Sequence, residues 1–335
     1  MITLLVTSSG TGSGKTTVCA GLGRYWLAGN KKVGFFKPAI ADGSNQAAEI
    51  DSDAVFLKQV FALEEPMELI QPTFKNESAL KSSIKEAYGR VSRGKDIVIT
   101  EGVSGQSRID SSLVEALDAR VIVVEDYTQE PLTTIERYRA FGKRLLGIVL
   151  NKVPASRLEQ VRAGIPSRLG QSGLNVLGLL PEDRVLFTLT IGELAEDIHG
   201  ELLRGADKSG ELLESFMVGA KTVDSGLQYF NLKDNKLVVV PGERPDMQLA
   251  ALQTSTRCLV VTGTVPPMPI ILQQAEEKDV PVILTRNNVT SVITDIEDTL
   301  GKTRFNQENK LPRLTALMEQ HFDFATLDKK LSTAS

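Results

Sequence analysis

Eight residues near the amino terminus, Ser9-Gly10-Thr11-Gly12-Ser13-Gly14-Lys15-Thr16, have the types and spacing of a phosphate-binding P-loop. They follow an apolar run, Ile2-Thr3-Leu4-Leu5-Val6, and precede a stretch that reads as a helix from Thr17 to about Ala28. Glycines at 10, 12 and 14 let the backbone curl until several N–H groups point into one concavity. The helix that follows adds the positive end of its dipole. Lys15 supplies a full charge for the β- and γ-phosphates, and Thr16 a hydroxyl for Mg²⁺. The pattern departs from the standard one at the position where Gly opens the loop, which is Ser9.

Other residues able to do chemistry follow apolar runs. Lys37-Pro38 closes Val33-Gly34-Phe35-Phe36. A lysine there reaches a γ-phosphate or an anionic substrate, or is simply solvated at a strand exit. Asp51-Ser52-Asp53 opens a helix, so an aspartate caps it or supplies a hard oxygen to Mg²⁺. Glu101 follows Ile97-Val98-Ile99-Thr100, where a carboxylate orients Mg²⁺ or a water, and Gly102-Val103-Ser104-Gly105-Gln106 lets the backbone turn tightly beside the phosphates. Asn151-Lys152 follows Ile148-Val149-Leu150, and an amide there can read a purine ring, although Asn is also common in turns. In the second half, Pro241-Gly242-Glu243-Arg244-Pro245-Asp246 and Thr262-Gly263-Thr264-Val265-Pro266-Pro267 each join a strand to a helix. They either shape turns or form a small anion- or nucleotide-binding cleft.

The elements that must carry these residues alternate. Strands are predicted at Ile2–Thr7, Lys32–Phe36, Asp96–Thr100, Arg120–Val124, Leu145–Leu150 and Asn175–Leu180, with helices near Asp53–Phe61, Ser78–Arg93, Glu130–Phe141 and Arg157–Ser172. Continuous apolar runs such as Val121-Ile122-Val123-Val124 suit strands buried on both faces of a parallel sheet, and the alternation predicts a doubly wound α/β domain. Ligands of such sheets lie at the carboxyl ends of the strands, where most of the residues above fall. Beyond Pro181, Ile191–Arg204 reads as a helix and 205–210 as a linker. A second alternation follows, with strands at Lys236–Val240, Cys258–Thr262 and Val280–Leu284 and helices near Asp246–Thr254, Ile270–Lys278 and Ser291–Leu300. Residues 306–335 read as a polar tail with one helix at most.

Composition removes several function classes. A formal net charge of −4 over 335 residues gives no electrostatic footprint for nucleic acid. No apolar run approaches the ~20 residues of a membrane span. Met1 runs almost directly into the first strand, leaving no room for a signal peptide. The cysteines, Cys19 and Cys258, fall in a predicted helix and strand, which reads as buried thiols and a cytoplasmic location. The histidines, His199 and His321, lie near no motif, so a His/Cys metal site is not expected.

Taken in order, Gly12-Ser13-Gly14-Lys15-Thr16-Thr17, Lys37-Pro38, Asp53-Ala54, Glu101-Gly102 and Asn151-Lys152 resemble the dethiobiotin-synthetase-like P-loop domain. The two later turns resemble the signatures of a DRTGG domain, with Glu243 where the family name implies Asp and Thr264 where it implies Gly. This pairing is similar to the N-terminal part of long phosphotransacetylases, as are Val176–Arg184 and Phe216–Ala220. The resemblance implies a P-loop domain over 1–204, a smaller α/β DRTGG-like domain over 211–305 and a tail over 306–335. It also implies that the chain stops where an acetyl-transferring domain would begin. Carried over residue by residue, Gly10, Thr11, Gly12, Ser13, Gly14, Lys15, Thr16 and Thr17 would hold the phosphates of ATP. Thr16, Asp53 and Glu101 would coordinate Mg²⁺, Lys37 would face the γ-phosphate and Asn151 would approach the adenine. Lys15, Lys37 and Glu101 would then carry any catalysis.

The leading expectation is an Mg-ATP-binding, regulatory or sensory protein with slow hydrolysis at most, a second small ligand at the DRTGG-like domain, and a homodimeric assembly. An ATP-dependent ligase that activates a carboxylate or carbamate is the alternative, and a partner-binding subunit of a central-carbon enzyme is the third. Asn151-Lys152 lacks the downstream Asp of guanine readers, Pro154 intervening, which favours ATP.

Overall fold

The amino-terminal alternation resolves into a six-stranded sheet, all of whose pairings are parallel. The computed structural model describes every residue except 41–49, 104–106, 128–135, 172, 220–225, 303–304, 306 and 334–335. The strands are β1 (Ile2–Thr7), β2 (Val33–Phe36), β3 (Ile97–Glu101), β4 (Arg120–Asp126), β5 (Leu145–Val153) and β6 (Val176–Pro181). Their order is β2-β3-β1-β4-β5-β6, so β1 sits centrally with the acid-bearing ends of β3 and β4 on either side. Leu4, Leu5, Val6, Val98, Ile99 and Val121–Val124 are at most marginally exposed, as expected where helices cover both faces of a parallel sheet.

On one face, Leu80, Ile84, Tyr88 and Val91 of the helix Glu77–Val91 pack with Ile109, Leu113 and Leu117 of Ser107–Leu117 and with alternate strand residues such as Leu5, Val123, Ile148 and Leu150. Each such fully buried aliphatic side chain is worth about 1.5–3 kcal/mol of transfer free energy. The helix α1 (Lys15–Ala28) carries a second buried stripe that includes Val18, Cys19, Leu22 and Trp26.

Two compact units divide the chain: Met1–Asp183 with Phe305–Ser335, and Arg184–Arg304. The division differs from the expected boundary at 204, for a physical reason. The predicted helix Ile191–Arg204 stops at Asp197, His199 takes a left-handed φ of 50°, and Glu201–Arg204 becomes a strand, β7, that belongs to the second sheet. The expected polar tail is corrected too. Helices Leu311–His321 and Phe324–Ser332 form within this segment, and Leu314, Leu317 and Met318 of the first, Leu327 of the second and Phe322 between them are buried in the first unit. Arg313 of this segment grips the buried Asp183, with nitrogens 2.7 and 2.6 Å from Oδ2. Of the expected helix Glu130–Phe141, residues 130–135 lie outside the described residues and Glu136–Arg144 is 3₁₀.

The second unit holds β7, β8 (Ser215–Val218), β9 (Lys236–Pro241), β10 (Thr256–Thr262) and β11 (Val282–Thr285), in the order β7-β11-β10-β9-β8. All pair in parallel except β7, which is antiparallel to β11. Helices Pro245–Leu252, Pro269–Glu277 and Val289–Lys302 follow β9, β10 and β11.

Candidate functional site: a phosphate loop with an acidic neighbour

The loop between β1 and α1 has the curl its glycines imply, with Gly12 at φ 74° and Gly14 at φ 90°. Side chains from the ends of β4 and β5 hold it from outside. Asn151 Nδ2 donates to the Ser13 carbonyl at 2.9 Å, and Lys152 Nζ to the Gly12 carbonyl at 2.6 Å and to Asp126 at 3.2 Å. Lys152 itself adopts φ 55°, a strained setting for a lysine. These bonds occupy the Gly12 and Ser13 carbonyls, so those acceptors are engaged by side chains rather than opposed to an anion that the loop's N–H groups would bind. Thr11 and Gly12 are exposed, whereas Ser13, Lys15 and Thr17 are buried. The Ser13 hydroxyl is buried and unbonded.

Gly14 is a close-approach position. A Cβ there would lie 2.1 Å from Asn151 Nδ2, and the positive φ disfavours any side chain. Gly14→Ala should therefore push Asn151 off the loop and weaken nucleotide binding by about tenfold or more, given 1–3 kcal/mol of backbone strain alone. Calorimetric titration with ATP checks this, and affinity within twofold of wild type would refute it.

The β1 end places three consecutive hydroxyls, each with its own partner. Thr7 donates to Asp110, Ser8 Oγ accepts from Lys15 Nζ at 3.0 Å, and Ser9 donates to Glu125. Asp110, on the helix Ser107–Leu117, also accepts from Val103 N at 2.9 Å, and Gly102 lies so close to it that a Cβ would meet the carboxylate at 2.8 Å. Residues 104–106 of the expected Gly102–Gln106 turn lie outside the described residues. Burial pushes the Asp110 carboxyl up to about 6, despite the bonds from Thr7 and Val103.

That shift has a definite sign. A carboxylate whose folded pKa exceeds its unfolded value of about 3.9 adds stability that is complete at low pH and lost as pH rises to the folded pKa. Asp110→Asn removes this loss while keeping an acceptor for Val103. Melting temperatures should show the variant gaining on wild type between pH 4 and about 6 and then holding its lead. A difference that does not change with pH would sink the assignment.

At the end of β3, the acidic residues meet around Thr16 and Lys37. Thr16 Oγ1 lies 3.0 Å from Asp53 Oδ2 and 3.3 Å from Glu101 Oε2. One hydroxyl proton cannot satisfy both oxygens. Lys37 Nζ sits 2.8 Å from Asp51, 3.0 Å from Glu101 Oε1 and 3.7 Å from Asp53. Asp51 also caps its helix by accepting from Asp53 N, which is the capping reading left open for this segment. Burial works against the charged form of Lys37, but Glu101, Asp51 and Asp53 outweigh it and raise its pKa. Burial likewise works against ionised Asp51, where Lys37 and backbone N–H groups prevail and lower the pKa. Glu101 is enclosed most completely, and its desolvation exceeds the help from Lys37 and Lys15, so its carboxyl is raised. The cation is thus held charged, while ionised Glu101 is costly until more positive charge arrives.

Asp53 Oδ1 is buried without a hydrogen bond. Among the described residues, no group of three or more His, Cys, Asp and Glu side chains is arranged to hold a metal by itself. The donor set beside the loop is one hydroxyl and two carboxylates. That suits Mg²⁺, which takes few protein oxygens and completes its shell with phosphate and water.

Thr16, Lys37, Asp53 and Glu101 are therefore brought together, with Lys15 at the loop. Asn151 is placed against the loop, with one of its N–H groups spent on Ser13. Asp110, Glu125 and Asp126 were not singled out in the sequence, and Lys152 entered it only as the neighbour of Asn151, without a role. For Glu125 and Asp126 a signal existed, since they end an apolar strand as Glu101 does. In the second unit, Arg244 forms two bonds with Asp246, at 2.9 and 2.7 Å, and Gln248 Nε2 donates to the Pro241 and Gly242 carbonyls, fixing the turn after β9.

An AAA domain family matches residues 2–188, and a DRTGG domain family matches residues 193–299. The chain is similar to phosphate acetyltransferases of Nitrosomonas europaea (23% identity over 98% of this chain and 52% of that protein) and Pseudomonas aeruginosa (25%, 99% and 52%). It spans about half the length of the curated relatives it matches. It is also similar to the ATP-dependent dethiobiotin synthetase BioD of Rhodococcus erythropolis (29% identity over 54% of this chain and 88% of that one). No helix among the described residues is long and apolar enough to cross a membrane. The chain belongs to the AAA domain family, as a dethiobiotin-synthetase-like P-loop nucleotide-binding domain joined to a DRTGG domain.

Proposed function

We propose that the protein binds Mg-ATP at the β1–α1 loop and uses the bound state as a signal, with hydrolysis slow at most. The observation that carries this reading is the cluster of Thr16, Asp53, Glu101 and Lys37 beside the loop, with the Asp53 Oδ1 and Ser13 Oγ atoms buried and unbonded. A divalent cation would relieve the two carboxylates that now share one hydroxyl proton. It would also draw Glu101 and Asp53 from Lys37, whose ammonium, still paired with Asp51, would then have N–H groups to offer a γ-phosphate. Lys15 would neutralise phosphate charge from the loop side, and the ends of β5 and β6 would take the base, with Asn151 at the adenine.

The regulatory part of the reading is supported by topology: the P-loop unit leaves its own fold at Asp183, carries the DRTGG domain and returns at Phe305. A second small ligand would lie at the turns after β9 and β10, and the cytoplasm is the compartment we assign. Titration calorimetry with ATP should give saturable binding that tightens with Mg²⁺. No heat from any adenine nucleotide, with or without Mg²⁺, would defeat the proposal.

The similarity to a dethiobiotin synthetase, together with Lys37 at the metal side of the loop, favours a ligase as second reading. ADP release should then be stimulated strongly by a small carboxylate or amine, and a broad panel without stimulation argues against it.

A further inference from the structure

Glu125 ends β4 with its side chain almost fully enclosed, at 8% exposure. Its carboxylate accepts from both polar groups of one residue: Ser9 N at 2.7 Å on Oε1 and Ser9 Oγ at 2.7 Å on Oε2. The hydroxyl of Tyr138 donates to Oε1 as well. Ser9 is the residue that stands where the standard loop opens with Gly. A Gly there brings no hydroxyl, whereas a serine in a half-buried setting brings a donor that must find an acceptor. Glu125 provides it, and its two-oxygen grip fixes the rotation of Ser9 as well as its position. Because Ser9 is the first residue of the curl, that rotation sets the direction in which the amides of Gly10 through Thr16 follow. Tyr138, 5% exposed and stacked on Phe141 with ring centroids 6.2 Å apart, keeps the carboxylate from swinging away.

We infer that Glu125 is a positioning residue for phosphate binding, and that the Ser9–Glu125–Tyr138 chain replaces the conformational role of the missing glycine. The inference rests on the reading of the β1–α1 loop as the phosphate site, and deepens it. Glu125 touches no phosphate. It acts through Ser9, so the serine and the glutamate form one device whose parts are useless singly.

The test measures affinity for Mg-ATP and for inorganic triphosphate, which reports on the loop without the base, alongside melting temperature. Glu125→Ala should weaken both ligands about tenfold or more, the cost of one charge-assisted hydrogen-bond pair. Adding Ser9→Gly to that variant should restore binding to within about threefold of wild type, since the loop then carries the residue that needs no acceptor. Affinity of Glu125→Ala within twofold of wild type overturns the inference. So does a loss that Ser9→Gly fails to repair, which would mark Glu125 as structural only. Should Glu125→Ala fail to fold, Tyr138→Phe, which keeps the charge in place, should weaken triphosphate binding about threefold, and unchanged affinity there overturns the inference equally. Wild-type protein that binds triphosphate but not ATP would refute the ATP reading and leave this one to be judged on triphosphate. Binding of neither refutes both.

Discussion

Replacing Lys15 by Ala should cost the protein about 2 kcal/mol or more of its affinity for ATP, roughly a thirtyfold rise in Kd, because a charge-assisted contact to phosphate is lost from an enclosed site. Lys15 is 5% exposed, and its ammonium is held on Ser8 Oγ, so it is already aimed and partly desolvated before any nucleotide arrives. Little further side-chain entropy is lost on binding, which is why the contribution should lie at the upper end of such contacts. The variant should fold normally, since α1 begins at this residue and alanine is a good helix former. An ATP affinity within threefold of wild type would remove Lys15 from the phosphate site.

The second large effect concerns the metal. Glu101→Gln keeps the shape and one acceptor oxygen but removes the charge that a hard cation requires. The Mg²⁺ concentration for half-maximal enhancement of ATP binding should rise by about tenfold or more, and any ADP release should fall further still, whereas ATP binding without Mg²⁺ should change by less than about threefold. The asymmetry follows from the geometry: Glu101 faces the Thr16 hydroxyl and Lys37. Unaltered Mg²⁺ dependence would exclude Glu101 from the metal's surroundings.

The parallel sheet was legible because its strands are apolar without interruption. Val121–Val124 and Ile97–Ile99 admit no solvated face, and the structure places both inside. Boundaries of β1 through β6 fall close to the expected ones for the same reason. The helix Ser107–Leu117 was not, because it begins with Ser107-Arg108 and carries Asp110, Ser111 and Ser112. Its Asp110 is buried for its partners Thr7 and Val103, not for its own polarity. The closing helices were hidden similarly: Leu314, Leu317 and Met318 keep helical spacing, but Arg313, Glu319 and Gln320 dilute them. Strand ends drew attention to Lys37, Glu101 and Asn151 but not to Glu125 and Asp126, which end β4 in the same way. The pairings of site residues were not legible, since Ser9 and Glu125 are 116 positions apart and no spacing encodes a contact made through sheet order.

The interrupted course of the P-loop unit bears on how the molecule is made. Leu314, Leu317, Met318, Phe322 and Leu327 complete the first unit's own interior, yet they are translated after the whole of the DRTGG-bearing unit. During synthesis the DRTGG domain can finish folding while the nucleotide domain still waits for a missing wall, its apolar flank bare to chaperones. Closure of the P-loop unit therefore waits for synthesis of the unit inserted into it, so the first domain to emerge is not the first that can be completed.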